Sequence, residues 1–299
     1  MRENKFAYKD PRVGPVCAIG NFDAVHPGHR RLFSICRREA AARGVAVCAI
    51  TFDGLMKEGG RLLSDADREA YLLEAGATSV VAENFADIRE MSPEAYIEEK
   101  LLPENSPSAV VCGKDFRFGR GGEGDIHKLL RLLENHGIPL FTADTAYLCG
   151  LPISTSRIKA ALSAGDVETA THLLGRSYSF AFPVEEGKRL GRKIGFPTAN
   201  QRFPDCMFVP RFGVYAGRVP VAGVVYPCVT NIGVRPTVDD GSFVTAESHL
   251  IGYTGDLYGQ TLRVELVAFL RDEMKFSSVD GLAAQIQRDT ARVRALFGC

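Results

Sequence analysis

The chain has 299 residues, enough for two domains that each bury a core, and its 45% hydrophobic and 24% charged residues fit an ordinary globular protein. Basic and acidic residues number 36 each, so the formal net charge is zero and no long-range field recruits nucleic acid or an anionic membrane, leaving only local basic pockets. No apolar run approaches the roughly 20 residues that span a bilayer, and the start, Met1-Arg-Glu-Asn-Lys-Phe-Ala, lacks the apolar core of a secretion signal.

From about residue 13 to 150, short β-rich runs alternate with helical patterns. Strands are expected at Val13–Phe22, Val45–Phe52, Ser79–Ala82, Ala109–Gly113 and Pro139–Thr142, and helices at Gly28–Arg43, Asp65–Ala75, Pro93–Leu102 and Gly124–His136. Ser92-Pro93-Glu94 is a start signal: a capping serine, proline at the first helical position, then an acid near the positive dipole end. The alternation predicts an α/β domain with a parallel sheet covered by helices on both faces, which binds ligands beyond the carboxyl ends of its strands. Eight cysteines occur without a Cys-x-x-Cys pair. Cys17, Cys48 and Cys112 fall in apolar runs, where a thiol packs as a small hydrophobe. Neither zinc nor a disulfide framework is signalled, and a reduced, cytoplasmic protein is expected.

The first strand runs into Gly20-Asn21-Phe22-Asp23-Ala24-Val25-His26-Pro27-Gly28-His29. Histidines three apart share a face of a helix's first turn, where free N–H groups and the dipole favour phosphate. Imidazoles there add hydrogen bonds that strengthen as charge develops on a transferring phosphate, and Gly28 allows close approach of a ligand. The bland alternative is a surface helix start. The run resembles the His-x-Gly-His signature of the nucleotidyltransferase superfamily, in particular its flavin-adenylylating branch, with Ala24 in place of that branch's glycine. Gly113-Lys-Asp-Phe-Arg117-Phe118-Gly119, with the glycines to Gly124 and then Asp125, is similar to the family's Phe-Arg-Phe-Gly…Gly-Asp element. This implies Arg117 and Asp125 at nucleotide edges and Phe118 at flavin. Ile153-Ser154-Thr155-Ser156-Arg-Ile-Lys159 resembles the family's Ile-Ser-Ser-Thr-x-Ile-Arg, with lysine for the final arginine. Its hydroxyls suit capping or phosphate binding, and Lys159 suits the leaving pyrophosphate, without arginine's bidentate fork. Thr51-Phe-Asp53 continues as Gly54-Leu-Met-Lys57 where the family reads Pro-His-Pro, so that loop is rebuilt.

A helical bridge over 153–175 ends at Gly175, and the texture then turns to glycine, proline and β-branched residues. Short strands at Val214–Val219, Val224–Ile232, Ala246–Ile251 and Leu262–Leu270 predict a small antiparallel barrel, closed by a helix at Val279–Phe297. The domain boundary is placed near 178, giving domains 1–177 and 178–299. Gly187-Lys-Arg-Leu-Gly191-Arg-Lys193-Ile-Gly195-Phe-Pro197-Thr198-Ala-Asn200 spaces glycines every four residues amid four cations. Such a loop suits wrapping a polyphosphate or serves as a mere connection. Thr198 and Asn200 offer hard oxygens for Mg²⁺ carried with nucleotide phosphates.

Pro197-Thr-Ala-Asn200 matches the signature of riboflavin kinase, and Gly213-Val-Tyr215, Asn231-Ile-Gly-Val-Arg-Pro-Thr237, Glu247-Ser-His-Leu250, Gly255-Asp-Leu-Tyr-Gly259 and Phe269-Leu-Arg271-Asp-Glu-Met-Lys-Phe276 follow in order. Over nearly its whole length the chain is similar to the prokaryotic-type bifunctional riboflavin kinase/FAD synthetases. The resemblance implies a Rossmann-like nucleotidyltransferase domain and a Greek-key riboflavin kinase barrel. It also implies riboflavin, FMN and ATP as substrates, Mg²⁺ with ATP, and FMN and FAD as products. Glu247 is implied as general base on the riboflavin 5′-hydroxyl; Arg271 contacts flavin or nucleotide, or pairs with Glu273; His249 has no assigned role. Three alternatives are weighed: a riboflavin kinase with a degenerate first domain, a flavin-binding regulator without turnover, and adenylyl transfer to another phosphate ester.

Overall fold

The computed structural model describes residues 14–54, 59–187, 191, 195–236 and 242–298. They fall into two compact units, Met1–Lys57 with Asp65–Ile153, and Glu58–Ser64 with Ser154–Cys299.

The first unit is built on five parallel strands: β1 (Val16–Ile19), β2 (Val47–Asp53), β3 (Ser79–Asn84), β4 (Ala109–Gly113) and β5 (Leu140–Ala143), in the order β3-β2-β1-β4-β5. β1 and β4 are apolar at almost every position because both their faces are covered, the expected pattern for central parallel strands. The helix Pro27–Arg43 has proline in its first turn and closes on Gly44 at φ 66°. Asp65–Ala75 matches its predicted bounds. The helix expected at Pro93–Leu102 is capped by Ser92 as anticipated, but Tyr96–Leu101 is wound as π-helix between the α-helical turns Pro93–Ala95 and Leu102–Asn105. The first strand ends earlier than expected because the chain turns after Ile19. A small hairpin of β6 (Tyr147–Leu148) and β7 (Leu151–Pro152) was not anticipated.

The second unit contains a closed antiparallel barrel. Its strands are β8 (Ser179–Glu185), β9 (Ala199–Arg202), β10 (Gly213–Val221), β11 (Val224–Pro236), β12 (Ser242–Leu250) and β13 (Thr261–Arg271), closed in the order β10-β11-β12-β9-β8-β13. β9 reads Ala-Asn-Gln-Arg, without a β-branched residue, so strand propensity alone does not reveal it. It is held instead by Gln201, whose amide donates to the carbonyls of Phe182 and Leu262, each at 2.7 Å. Phe180 stacks on Phe182, and Phe203 meets the first tilted and the second edge-on. On the other face, Val293 of the C-terminal helix Val279–Phe297 packs on Val214, Ala216, Val229 and Ile251. The helices Thr155–Ala164 and Val167–Leu174 belong to this unit, as does the segment at Arg61, which exchanges backbone hydrogen bonds of 2.8 Å with Cys206 and Phe208.

Candidate active sites

In the first unit the strand order reverses between β1 and β4, and ligands of such sheets bind where the loops after those strands diverge. The loop after β1 is strained: Phe22 and Val25, both buried, hold φ of 49° and 41°. Non-glycine residues in that region cost on the order of 1–3 kcal/mol each, a β-branched one most of all. Ala24 is not among the positive-φ residues, so its methyl group brings no backbone strain. A Cβ on Gly20 would come within 2.9 Å of the Phe22 ring, and one on Gly28 within 3.0 Å of the His26 ring.

The two histidines lie on one side of the helix start, with His26 just before the helix and His29 within its first turn. His26 is the extended N-cap (φ −77°, ψ 174°), because Pro27 opens the helix. Its Nδ1 accepts from the His29 N–H at 3.4 Å, which leaves the neutral ring's proton on Nε2. The two rings stack across the helix start with centroids 3.8 Å apart at 12°, and Phe22 meets His29 edge-on at 5.2 Å. Asp23 is buried beside them in sequence, and the Asn21 carbonyl accepts from the Thr51 hydroxyl at 3.0 Å.

After β4, Phe118 and Gly124 exchange backbone hydrogen bonds of 3.0 and 2.9 Å, and a Cβ on Gly124 would strike the Phe118 ring at 2.7 Å. Phe118 is buried between Phe116, stacked at 5.9 Å, and Tyr96 at 6.0 Å, while Arg117 is exposed. Asp125 caps the helix Ile126–Glu134 by accepting from the Lys128 N–H at 2.9 Å, and that bond holds its carboxyl below the usual range. Asp53, at the head of the rebuilt loop, pairs with buried Arg68, which also donates to the Phe52 carbonyl at 3.1 Å and Asp65 at 2.8 Å. Sequence reading missed Arg68, since an arginine in an amphipathic helix reads as solvent face.

In the second unit Ser154 caps its helix, accepting from the Arg157 N–H at 3.3 Å, and Thr155 and Ser156 are the first helical residues. The Lys159 ammonium donates to the Gly60 carbonyl and lies 5.9 Å from the Phe208 ring centre. Lys193 and Thr237 lie outside the described residues, as do residues 55–57 of the rebuilt loop.

Register brings the remaining candidates into one row. Glu185 pairs with Asn200, Asn200 with Glu247, Glu247 with Asn231, Asn231 with Val214, and Val214 with Arg271. Paired residues point to one side; here it is the outer face, since the alternate positions Gln201 and Ala246 are fully buried inside. Asn200 is 7% exposed; its Nδ2 donates to the Thr198 carbonyl at 3.2 Å, and its buried Oδ1 has no hydrogen-bond partner among the described residues. Gly187 lies against this amide, where a Cβ would come within 2.7 Å, and a Cβ on Gly191 would meet the Phe196 carbonyl at 2.3 Å. Arg235 reaches Glu247 at 3.3 Å, and Glu273 accepts from Asn231 at 3.2 Å. Arg271 is held by Asp289 rather than by Glu273, through its Nε at 3.0 Å and Nη2 at 2.7 Å. His249, without a role in the sequence reading, donates from Nδ1 to the Pro197 carbonyl at 2.9 Å and packs edge-on to Phe196, anchoring the loop that ends in Thr198 and Asn200. Gly195 and Pro197 are exposed in that loop. Arg235 and His249 both stand in motifs already noted, at strand positions of the right parity.

Residues 9–157 match the family model for FAD synthetase and residues 174–297 that for riboflavin kinase. The bifunctional riboflavin kinase/FMN adenylyltransferase of Pseudomonas fluorescens is 34% identical over 95% of this chain and 93% of its own length. That of Escherichia coli K12 is 35% identical over 96% and 94%. A crystal structure described as a macrolide-efflux protein from Streptococcus pneumoniae superposes with a TM-score of 0.83 at 25% identity, covering 94% of each chain. Among the described residues no helix is long and apolar enough to cross a membrane. With motifs, both folds and full-length relatives in agreement, the chain belongs to the bifunctional riboflavin kinase/FMN adenylyltransferase family.

Proposed function

We infer that the chain phosphorylates riboflavin to FMN with ATP and adenylylates FMN to FAD with a second ATP, releasing pyrophosphate. The kinase is assigned to residues 178–299 and the transferase to 1–177. The observation that carries the reading is the row Asn200–Glu247–Asn231, which draws three separate riboflavin kinase motifs to one strip of the barrel. The free thiols of the described cysteines support a reducing, cytoplasmic setting.

In the kinase step the riboflavin 5′-oxygen bonds to the γ-phosphorus while the bond from that phosphorus to the β-bridging oxygen breaks, releasing ADP. Glu247 accepts the hydroxyl proton, a role typically contributing about 10²–10⁴-fold. Arg235 holds one carboxylate oxygen and so fixes the group's orientation. Gly187, Gly191, Gly195 and Pro197 line the phosphates, and Arg271, steadied by Asp289, faces flavin. Thr198 and Asn200 suit Mg²⁺: the buried, unpartnered Asn200 oxygen is a hard donor in a cradle that a Gly187 side chain would fill. Bound with ATP, the ion would neutralise phosphate charge; the protein's part is to place it.

In the transferase step an FMN phosphate oxygen attacks the α-phosphorus of ATP and pyrophosphate leaves. No protein nucleophile is needed. The Nε2 proton of His26, His29 and the backbone from Gly20 through Asp23 and Gly28 meet charge on the triphosphate. Arg117 and Asp125 are further nucleotide contacts of the first unit, and Phe118 is assigned to the flavin ring. Ser154, Thr155, Ser156 and Lys159, in the second unit, are assigned to nucleotide phosphate.

Chromatography of products from riboflavin plus ATP tests the assignment. His29→Ala is expected to abolish FAD formation and spare FMN formation. Glu247→Ala is expected to lose FMN formation by about 10²-fold or more yet still make FAD from supplied FMN. Equal damage to both reactions by either variant in folded protein would refute the two-site assignment.

A further inference from the structure

The outer row of the barrel carries a carboxylate that neither reaction has used. Glu185, the last residue of β8, is the register partner of Asn200 on the side opposite Glu247. Side chains so paired share a face, with Cβ atoms about 5 Å apart. The Asn200 amide is therefore flanked by two carboxylates, and they are not equivalent. Glu247 is already met by the Arg235 guanidinium. Glu185 is exposed and stands two residues before Gly187, whose missing side chain gives the Asn200 amide its room. Between them, Asn200 spends its N–H₂ on the Thr198 carbonyl and leaves Oδ1 buried without a donor among the described residues. A buried acceptor left that way is unfavourable, and an incoming cation offsets the loss. Thr198 and Asn200 are both neutral, so by themselves they add no charge to balance a divalent ion.

We propose that Glu185 supplies the charged oxygen for this site, directly or through a coordinated water, and so sets the affinity of the barrel for its Mg²⁺–nucleotide complex. The proposal rests on Thr198 and Asn200 holding the ion. The test uses the full chain and Mn²⁺ as the probe, with calorimetric titration of Mn²⁺·ADP and, separately, of ADP in EDTA. Glu185→Gln and Glu185→Ala are expected to weaken Mn²⁺·ADP binding about tenfold, in the range for groups that support a metal, while leaving metal-free ADP binding and the melting temperature unchanged. Wild-type affinity in both Glu185 variants, with Asn200→Ala weakened, overturns the role of Glu185 and keeps the site. Wild-type affinity in Asn200→Ala as well moves the metal elsewhere and overturns both.

Discussion

Glu83 shows how one side chain couples burial to pH. It stands near the carboxyl end of β3, 3% exposed, and accepts a hydrogen bond from the Tyr96 hydroxyl at 3.0 Å. Burial pushes its carboxyl above the ordinary range, and the Tyr96 bond opposes that only in part. The folded protein therefore binds this proton more tightly than the unfolded chain does. Its contribution is fully present below the unfolded value of about 4.3 and declines as pH rises through the raised folded value. Glu83→Gln keeps an acceptor for Tyr96 and removes the titration. Urea unfolding of both proteins is expected to show the variant gaining stability over wild type as pH rises from about 4 to 7. A gap that shrinks over that range would contradict the assignment. The same residue scale decides Ala24, whose departure from the family glycine costs no strain, whereas Phe22 and Val25 beside it carry the positive φ.

Among the elements, the C-terminal helix depends on one ion pair as well as on its apolar stripe. Asp289, 1% exposed, accepts from Arg271 on β13 and from Gln285 one turn back at 3.0 Å. Removing one partner of a buried pair leaves the other charge uncompensated. Asp289→Ala is expected to lower the unfolding free energy of the kinase unit by about 3 kcal/mol in urea titration, and pairing Asp289→Leu with Arg271→Met should recover much of it. Undiminished stability in the single variant would mean that the helix is held by Val293 and its neighbours alone. The π-helical stretch Tyr96–Leu101 is a second element-level device, since it carries Tyr96 between Glu83 and Phe118.

Over the whole molecule, the cysteines report on both cores at once. Burial pushes the thiols of Cys36 and Cys112 in the first unit and Cys228 in the barrel up to about 12. Cys149, at the turn of the β6–β7 hairpin, is exposed. Alkylation of native protein at pH 8 is expected to modify Cys149 and to spare those three until urea is added, read by mass spectrometry of peptides. Native labelling of Cys228 would show that the barrel core opens in solution.

Strand and helix positions were legible where the local apolar pattern was strong, as at Ala109–Gly113 and Asp65–Ala75, and where a capping residue added to it, as at Val279–Phe297 after Ser278, because these signals are local. Each motif's chemical character, histidine pair or glycine loop with Thr198 and Asn200, was likewise written in the residue order. What no local pattern contains is which distant residues meet. The pairing of Asn200 with Glu185 and Glu247, the grip of Asp289 on Arg271 and of His249 on Pro197, and the stacking of His26 on His29 arise from strand register and helix docking. Register is settled by burying one face of every strand together, a property of the closed barrel and not of any single segment.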